Sequence, residues 1–226
     1  MNLPLEWVGD EVPGSGLAET PEAIPWEDPD QPILVALVHT IGMILTRPGE
    51  FFRHLDLQGG LAVPLGFALI LGTAGMLASL YWQLIQLLLI GNMGSWVSLL
   101  ITNSVNLGPR LVVGISLMVP VLVLATQFVS SFFLLLAVLL VGGRQPSFEA
   151  AFRVIAYSNA PLVATFLPVA GGIMASLWCL IVEFKALLQV FNLSRLRALL
   201  ALLLASFFSL IIFGILTLVG GALLLI

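Results

Sequence analysis

The sequence predicts an all-α fold: a polytopic bundle of five transmembrane helices preceded by interfacial amphipathic helices. Three observations predict it. Of the 226 residues, 60% are hydrophobic and 9% charged, with a mean hydropathy of +1.13, more apolar surface than a water-soluble core of this size can hide. The apolar runs are rich in Leu and lack period-2 alternation, which favours helices over a barrel. The few basic residues fall almost entirely on one side of those runs, as they do in membrane proteins whose cytoplasmic loops retain Lys and Arg. A single cysteine, Cys179, leaves no internal disulfide, and with His39 and His54 as the two histidines no structural zinc site is expected. No cofactor and no nucleic-acid partner are expected either.

The chain opens with residues 1–31, which carry eight acids (Glu6, Asp10, Glu11, Glu19, Glu22, Glu27, Asp28 and Asp30) and no Lys or Arg. Prolines and glycines recur through this stretch and discourage a helix, so it reads as a disordered acidic tail. It has neither the basic start nor the apolar core of a secretory signal. Its functional reading is a docking arm for a basic partner; the plain alternative is a solvating tail repelled by anionic lipid.

Residues 32–57 read as two short interfacial helices. Ile33–Leu45 is apolar but shorter than the roughly 20 residues a helix needs to cross a bilayer. Pro48 ends it, and GEFFRHL follows with Phe51 and Phe52 on one side and Arg53 and His54 on another. Phe51 and Phe52 are expected among the acyl chains, Arg47 and Arg53 at the lipid phosphates, and Trp26 at the interface beside them.

The membrane domain is expected over residues 58–226, with spans at about 61–90, 111–141, 150–167, 169–191 and 198–226. The second run would be roughly 46 Å long as a helix, more than one crossing requires and less than two crossings and a turn. It reads as one helix kinked at Pro120. The third is short, and the connection around Pro168 is only a residue or two, so the third and fourth form a tight hairpin. The pairs Gly171 with Ala175, Gly172 with Ser176, and Gly75 with Ser79 are spaced for close helix approach, within the chain or between copies.

Charge sets the orientation. With five spans and a cytoplasmic N-terminus, Arg47, Arg53, Arg144, Arg153, Lys185, Arg195 and Arg197 lie inside and Arg110 alone lies outside. Splitting the second run would put Arg144 and Arg153 on the far side. The C-terminus is therefore expected outside, with no soluble domain after it.

Polar chemistry concentrates in Phe148–Trp178. Glu149 and Arg153 lie four residues apart, followed by Tyr157, Ser158 and Asn159, then Pro161 and Pro168. In hydrocarbon these groups, and the backbone that Pro161 frees, must find partners inside the protein. Glu183 and Lys185 point to different faces of the fourth span, and Glu183 lies at a depth similar to Arg153. An Arg153–Glu183 pair, joined by Glu149, is the expected tie across the hairpin; the alternative is that each residue snorkels alone. An intramembrane enzyme would need a nucleophile with its base, a metal site or paired acids in the spans, and the sequence offers none, so no catalytic residue is assigned. A small-solute or ion transporter or channel is the alternative function, with Gln83, Gln86, Gln127, Ser130, Ser131 and Asn159 as its lining. The preferred reading is a non-enzymatic membrane organiser or adaptor whose partners are the lipid bilayer and other membrane proteins or further copies of itself.

IPWE at Ile24–Glu27, RPGEFF at Arg47–Phe52, FEAAFRVIAYSNAP at Phe148–Pro161 and the spacing of Pro168, Gly171 and Trp178 resemble the Yip membrane family, named for eukaryotic members that interact with Ypt/Rab GTPases. The resemblance runs from Ile24 to Ile226 and is strongest at AYSNAP. It implies five membrane-spanning helices, a cytoplasmic N-terminus and a non-enzymatic adaptor role in membrane traffic. The short acidic tail lacks the Asp-Leu-Tyr-Gly-Pro type of motif found in the eukaryotic cytosolic region. GTPase binding is therefore not carried over, and the chain is similar to a prokaryotic relative in the bacterial inner (plasma) membrane.

Overall fold

The computed structural model of the chain describes residues 24–90 and 108–223. Among the described residues every regular element is helical. A 3-10 turn, η1 (Pro25–Glu27), is followed by α1 (Ile33–Thr46), α2 (Pro48–Arg53), α3 (Ala62–Ile90), α4 (Gly108–Val141), α5 (Phe148–Tyr157), a second 3-10 segment η2 (Ala160–Phe166), α6 (Gly171–Val190) and α7 (Arg195–Leu223). Four helices, α3, α4, α6 and α7, are long and apolar enough to cross a membrane. Their outward faces are apolar, as on Leu203 and Leu210 of α7 and Ile173 and Leu177 of α6, which suits a lipid surround.

The expected third span, 150–167, is not one helix. Ser147 caps the start of α5 by accepting the Ala150 amide at 3.1 Å, and α5 ends at Tyr157 because Pro161 has no amide for the next α-helical bond and crowds the carbonyl four residues back. The chain continues as η2 with Pro161 in its first turn. The turn after it is tight. Val169 adopts φ +66°, and an added Cβ on Gly171 would lie 2.1 Å from the Ala164 carbonyl oxygen, so only glycine lets α6 start there. α4, by contrast, remains helical through Pro120.

Packing orders the helices. α4 lies most extensively on α7, α5 on α4 and α3, and α6 on η2 and α2. An added Cβ on Gly72 would lie 2.6 Å from a methyl of Val123, so the backbone of α3 packs directly on the Val123 side chain of α4. The Arg144 amide donates to the Phe191 carbonyl at 3.0 Å, which joins the α4–α5 loop to the α6–α7 turn. Both lie at the end of the bundle where α2 sits, since α2 packs on α6 and an added Cβ on Gly49 would lie 4.0 Å from Gln189 Nε2. Of the small-residue pairs, Gly171 and Ala175 face inward, Gly75 packs against Leu162 of η2, and Gly172 and Ser176 are exposed.

Two interfacial expectations change. Phe51 and Phe52 are not among the acyl chains: they are 3% and 2% exposed and sit in the core with Phe67, Tyr157, Leu187 and Phe191. The reason is ring packing, with Phe51 edge-on to both Phe52 and Tyr157 at centroid distances of 5.1 and 5.2 Å. Arg47 and Arg53 are exposed, and Arg47 meets Glu50 at 3.5 Å on the surface. Residues 24–31, expected to lie within the acidic tail, are folded. Ile24 is buried and η1 packs on the bundle, because apolar Ile24 and Trp26 gain more from contact than the prolines around them cost. Residues 1–23 lie outside the described residues.

Candidate functional site

The polar stretch of α5 closes over the foot of the N-terminal arm. Arg153 projects from the middle of α5 and is fully buried. One guanidinium nitrogen, Nη1, donates to the Gly60 carbonyl at 2.9 Å, and Nη2 donates to Glu27 Oε1 at 2.5 Å. Tyr157, one turn further along α5, donates its hydroxyl to the same carboxylate oxygen. Glu27 is thus held by two donors from one helix face, 126 and 130 residues away in sequence. An ion pair in so dry a place is sustained only by such added hydrogen bonds.

Glu149 holds the same region from the previous turn of α5. Its Oε1 accepts the Gly60 amide at 2.5 Å, so Glu149 and Arg153 together grip both backbone polar groups of Gly60. That glycine has φ +83°, and an added Cβ on Gly59 would lie 2.7 Å from Arg153 Nη1. The loop between α2 and α3 can cross the guanidinium only because no side chain intervenes. The Nε of Arg153 has no hydrogen-bond partner among the described residues.

The arm is held on its other side by Trp26. Its amide donates to Thr40 Oγ1 at 3.0 Å and its indole Nε1 to the Val63 carbonyl at 2.8 Å, while its ring meets Phe67 edge-on at 5.8 Å. The Val63 carbonyl lies in the first turn of α3. Trp26, expected as a lipid anchor, is instead the second pin of this strap.

The partner of Arg153 is therefore Glu27, where sequence reasoning expected Glu183. α5 lies on α3 and α4, whereas α6 packs on η2 and α2, which turns Arg153 toward the arm. Glu183 is half-buried on α6 and forms no ion pair among the described residues. By sequence Glu27 groups with the acids of the tail; the signal that singles it out is its place between Trp26 and Pro29, close to the apolar Ile24. Gly59 and Gly60 were also missed, although a double glycine just before an apolar helix marks a close backbone passage.

Asn159 and Pro161 sit where α5 breaks. Asn159 Nδ2 donates to Gln127 Oε1 at 3.3 Å, and Gln127 Nε2 donates to the Phe152 carbonyl at 3.1 Å, so two amides tie the break to the middle of α4. Ser131 is buried and donates back to the Gln127 carbonyl at 2.6 Å.

Residues 41–218 match the Yip1 domain. This chain belongs to the Yip1-domain family. Together with its four long apolar helices, membership makes it a multi-pass integral membrane protein. No curated protein and no solved structure matches it. The strap residues Ile24–Glu27 lie before the matched Yip1 domain, while Arg153 and Tyr157, which hold them, lie inside it.

Proposed function

We propose that this Yip1-domain protein is a non-enzymatic membrane adaptor that presents its acidic N-terminal arm from a fixed mount at the cytoplasmic face of a bacterial inner membrane. The observation that carries the reading is the half-buried Glu27 carboxylate held by the buried Arg153 and Tyr157. It makes the foot of the arm part of the helical core and so gives the acids before it a fixed point of attachment. Their chemistry fits a basic surface on another membrane-associated protein.

The proposed orientation is supported by the distribution of charge over the bundle. The Arg144–Phe191 bond, the packing of α2 on α6 and the Arg153–Gly60 bond group the cationic positions 47, 53, 144, 153, 185, 195 and 197 at one end, and Arg110 lies in the first turn of α4 at the other. That asymmetry favours this end as the cytoplasmic one. The α5–η2 segment is then a fifth, discontinuous crossing. Its 10 α-helical and 7 3-10 residues extend about 29 Å together, the thickness of a hydrocarbon core.

The test is crosslinking in native membranes followed by recovery through a C-terminal tag, comparing the full chain with one lacking residues 2–23. The deletion stops short of Ile24 so that Arg153 keeps its partner. Partners lost with the arm support the adaptor. Recovery of the same partners without it overturns this reading.

A further inference from the structure

A cavity of about 270 Å³ lies between α3, α4, the end of α5 and η2. Its polar lining comes from Ser79 on α3, Thr126, Gln127 and Ser130 on α4, Asn159 at the break and Thr165 on η2. The remaining wall is apolar, with Met76, Val123, Ile155 and Leu162. From Gly72 to Ser79 the lining of α3 lies roughly 15 to 25 Å along that helix from its first turn, the middle depth of a bilayer core. The opening faces the outside of the bundle, where Met76 is exposed.

Three features define what this space accepts. None of the lining side chains is charged, so an ion at this depth would lose its hydration without compensation. Gln127 and Asn159 are held to each other and to the Phe152 carbonyl, which fixes their direction, and Thr126 and Thr165 are satisfied by carbonyls of their own helices. The hydroxyls of Ser79 and Ser130 have no such bond among the described residues, although Ser116 and Ser131 on α4 do bond back to their own helix. A fixed amide pair, two hydroxyls unbonded among the described residues and an apolar wall beside them match an uncharged head joined to a hydrocarbon chain.

We propose that this cavity is a binding site for an uncharged, lipid-soluble molecule whose hydroxyl or carbonyl head bonds to Ser79, Ser130 and Asn159 while its chain lies along Met76 and Leu162. The site is independent of the acidic arm, so the adaptor reading and this one fail separately.

The test uses a photoreactive long-chain alcohol, with its diazirine next to the hydroxyl, on the full chain in liposomes. The carboxylate with the same chain and diazirine serves as the charged comparison. Adducts of the alcohol are expected on the peptides containing 72–79 and 123–130, with competition by unlabelled long-chain alcohol and not by the carboxylate. Ser79→Leu and Ser130→Leu, which fill the space from opposite walls with residues that suit a membrane helix, should each lower that labelling by roughly tenfold, the equivalent of about 1.4 kcal/mol. The melting temperature in detergent shows whether either variant is impaired in folding, and the other then carries the test. Labelling spread evenly over the lipid-facing helices, equal labelling by the carboxylate, or labelling unchanged in a stably folded variant overturns the proposal and leaves a cavity that holds water only.

Discussion

Removing the Glu27 carboxylate should destabilise the membrane domain far more than a change in a surface tail would. Arg153 is fully buried and the Glu27 side chain 22% exposed, so Glu27→Ala leaves a guanidinium in a dry place with only the Gly60 carbonyl. Breaking a buried pair from one side costs about 3–5 kcal/mol, and partial access of water to Glu27 lowers the expectation to about 2–3 kcal/mol. For a domain of this length that is a fall in melting temperature of roughly 4–12 °C. Arg153→Met should cost more, because it also releases Gly60. Glu27→Gln retains an acceptor for Arg153 and Tyr157 and should cost about 1–2 kcal/mol. The double variant Glu27→Ala, Arg153→Met should melt close to Arg153→Met alone, since the partner of the lost carboxylate is already gone. The assay is thermal unfolding in mild detergent for the four chains of the cycle. Losses that add to within about 0.5 kcal/mol would refute the pair.

Further outcomes follow from the same packing. Gly171→Ala forces a Cβ against the Ala164 carbonyl and should cost about 1–3 kcal/mol by detergent melting, with Gly172→Ala, which meets nothing within 4 Å, as the neutral control. Phe51→Ala or Phe52→Ala should lower stability by about 3–5 kcal/mol as core truncations do, while Arg53→Ala, on the surface, should stay within about 0.5 kcal/mol of the parent. Trp26→Phe keeps a ring against Phe67 and loses the bond to the Val63 carbonyl, a cost of about 1 kcal/mol in the same assay. With Cys179 replaced by Ala, an impermeant thiol reagent should modify Gln145→Cys from the cytoplasmic side only and Val169→Cys from the outside only; modification of both from one side would contradict a crossing by α5 and η2.

The long helices were legible because their chemistry is local. A Leu-rich run such as that of α7 carries apolar side chains all round, and the glycine at 171 marks where α6 begins. The asymmetry of Arg and Lys was legible for the same reason. What could not be read were contacts between residues far apart. Glu27 and Arg153 are separated by 126 residues, and nothing local distinguishes Glu27 from the acids around it except its apolar neighbours. Phe51 and Phe52 next to Arg53 have the pattern of a lipid anchor; only the position of Tyr157, on another helix, turns those rings inward. Pro161 announced a break, but whether the chain resumes as an α-helix or a 3-10 segment depends on how η2 packs against α3 and α6. The bond between Asn159 and Gln127 likewise requires α4 to lie beside the break, which hydropathy does not encode.

The adaptor account stands or falls on whether the foot of the arm belongs to the folded membrane domain. Hydrogen exchange of the backbone amides of residues 24–31, in the full chain and in Arg153→Met, measures this directly. The account predicts slow exchange at Trp26 and Glu27, whose amides donate to Thr40 and to the Ile24 carbonyl, and markedly faster exchange once Arg153 is gone. Exchange in the full chain as fast as that of a free peptide would contradict it, and the arm would then have no mount.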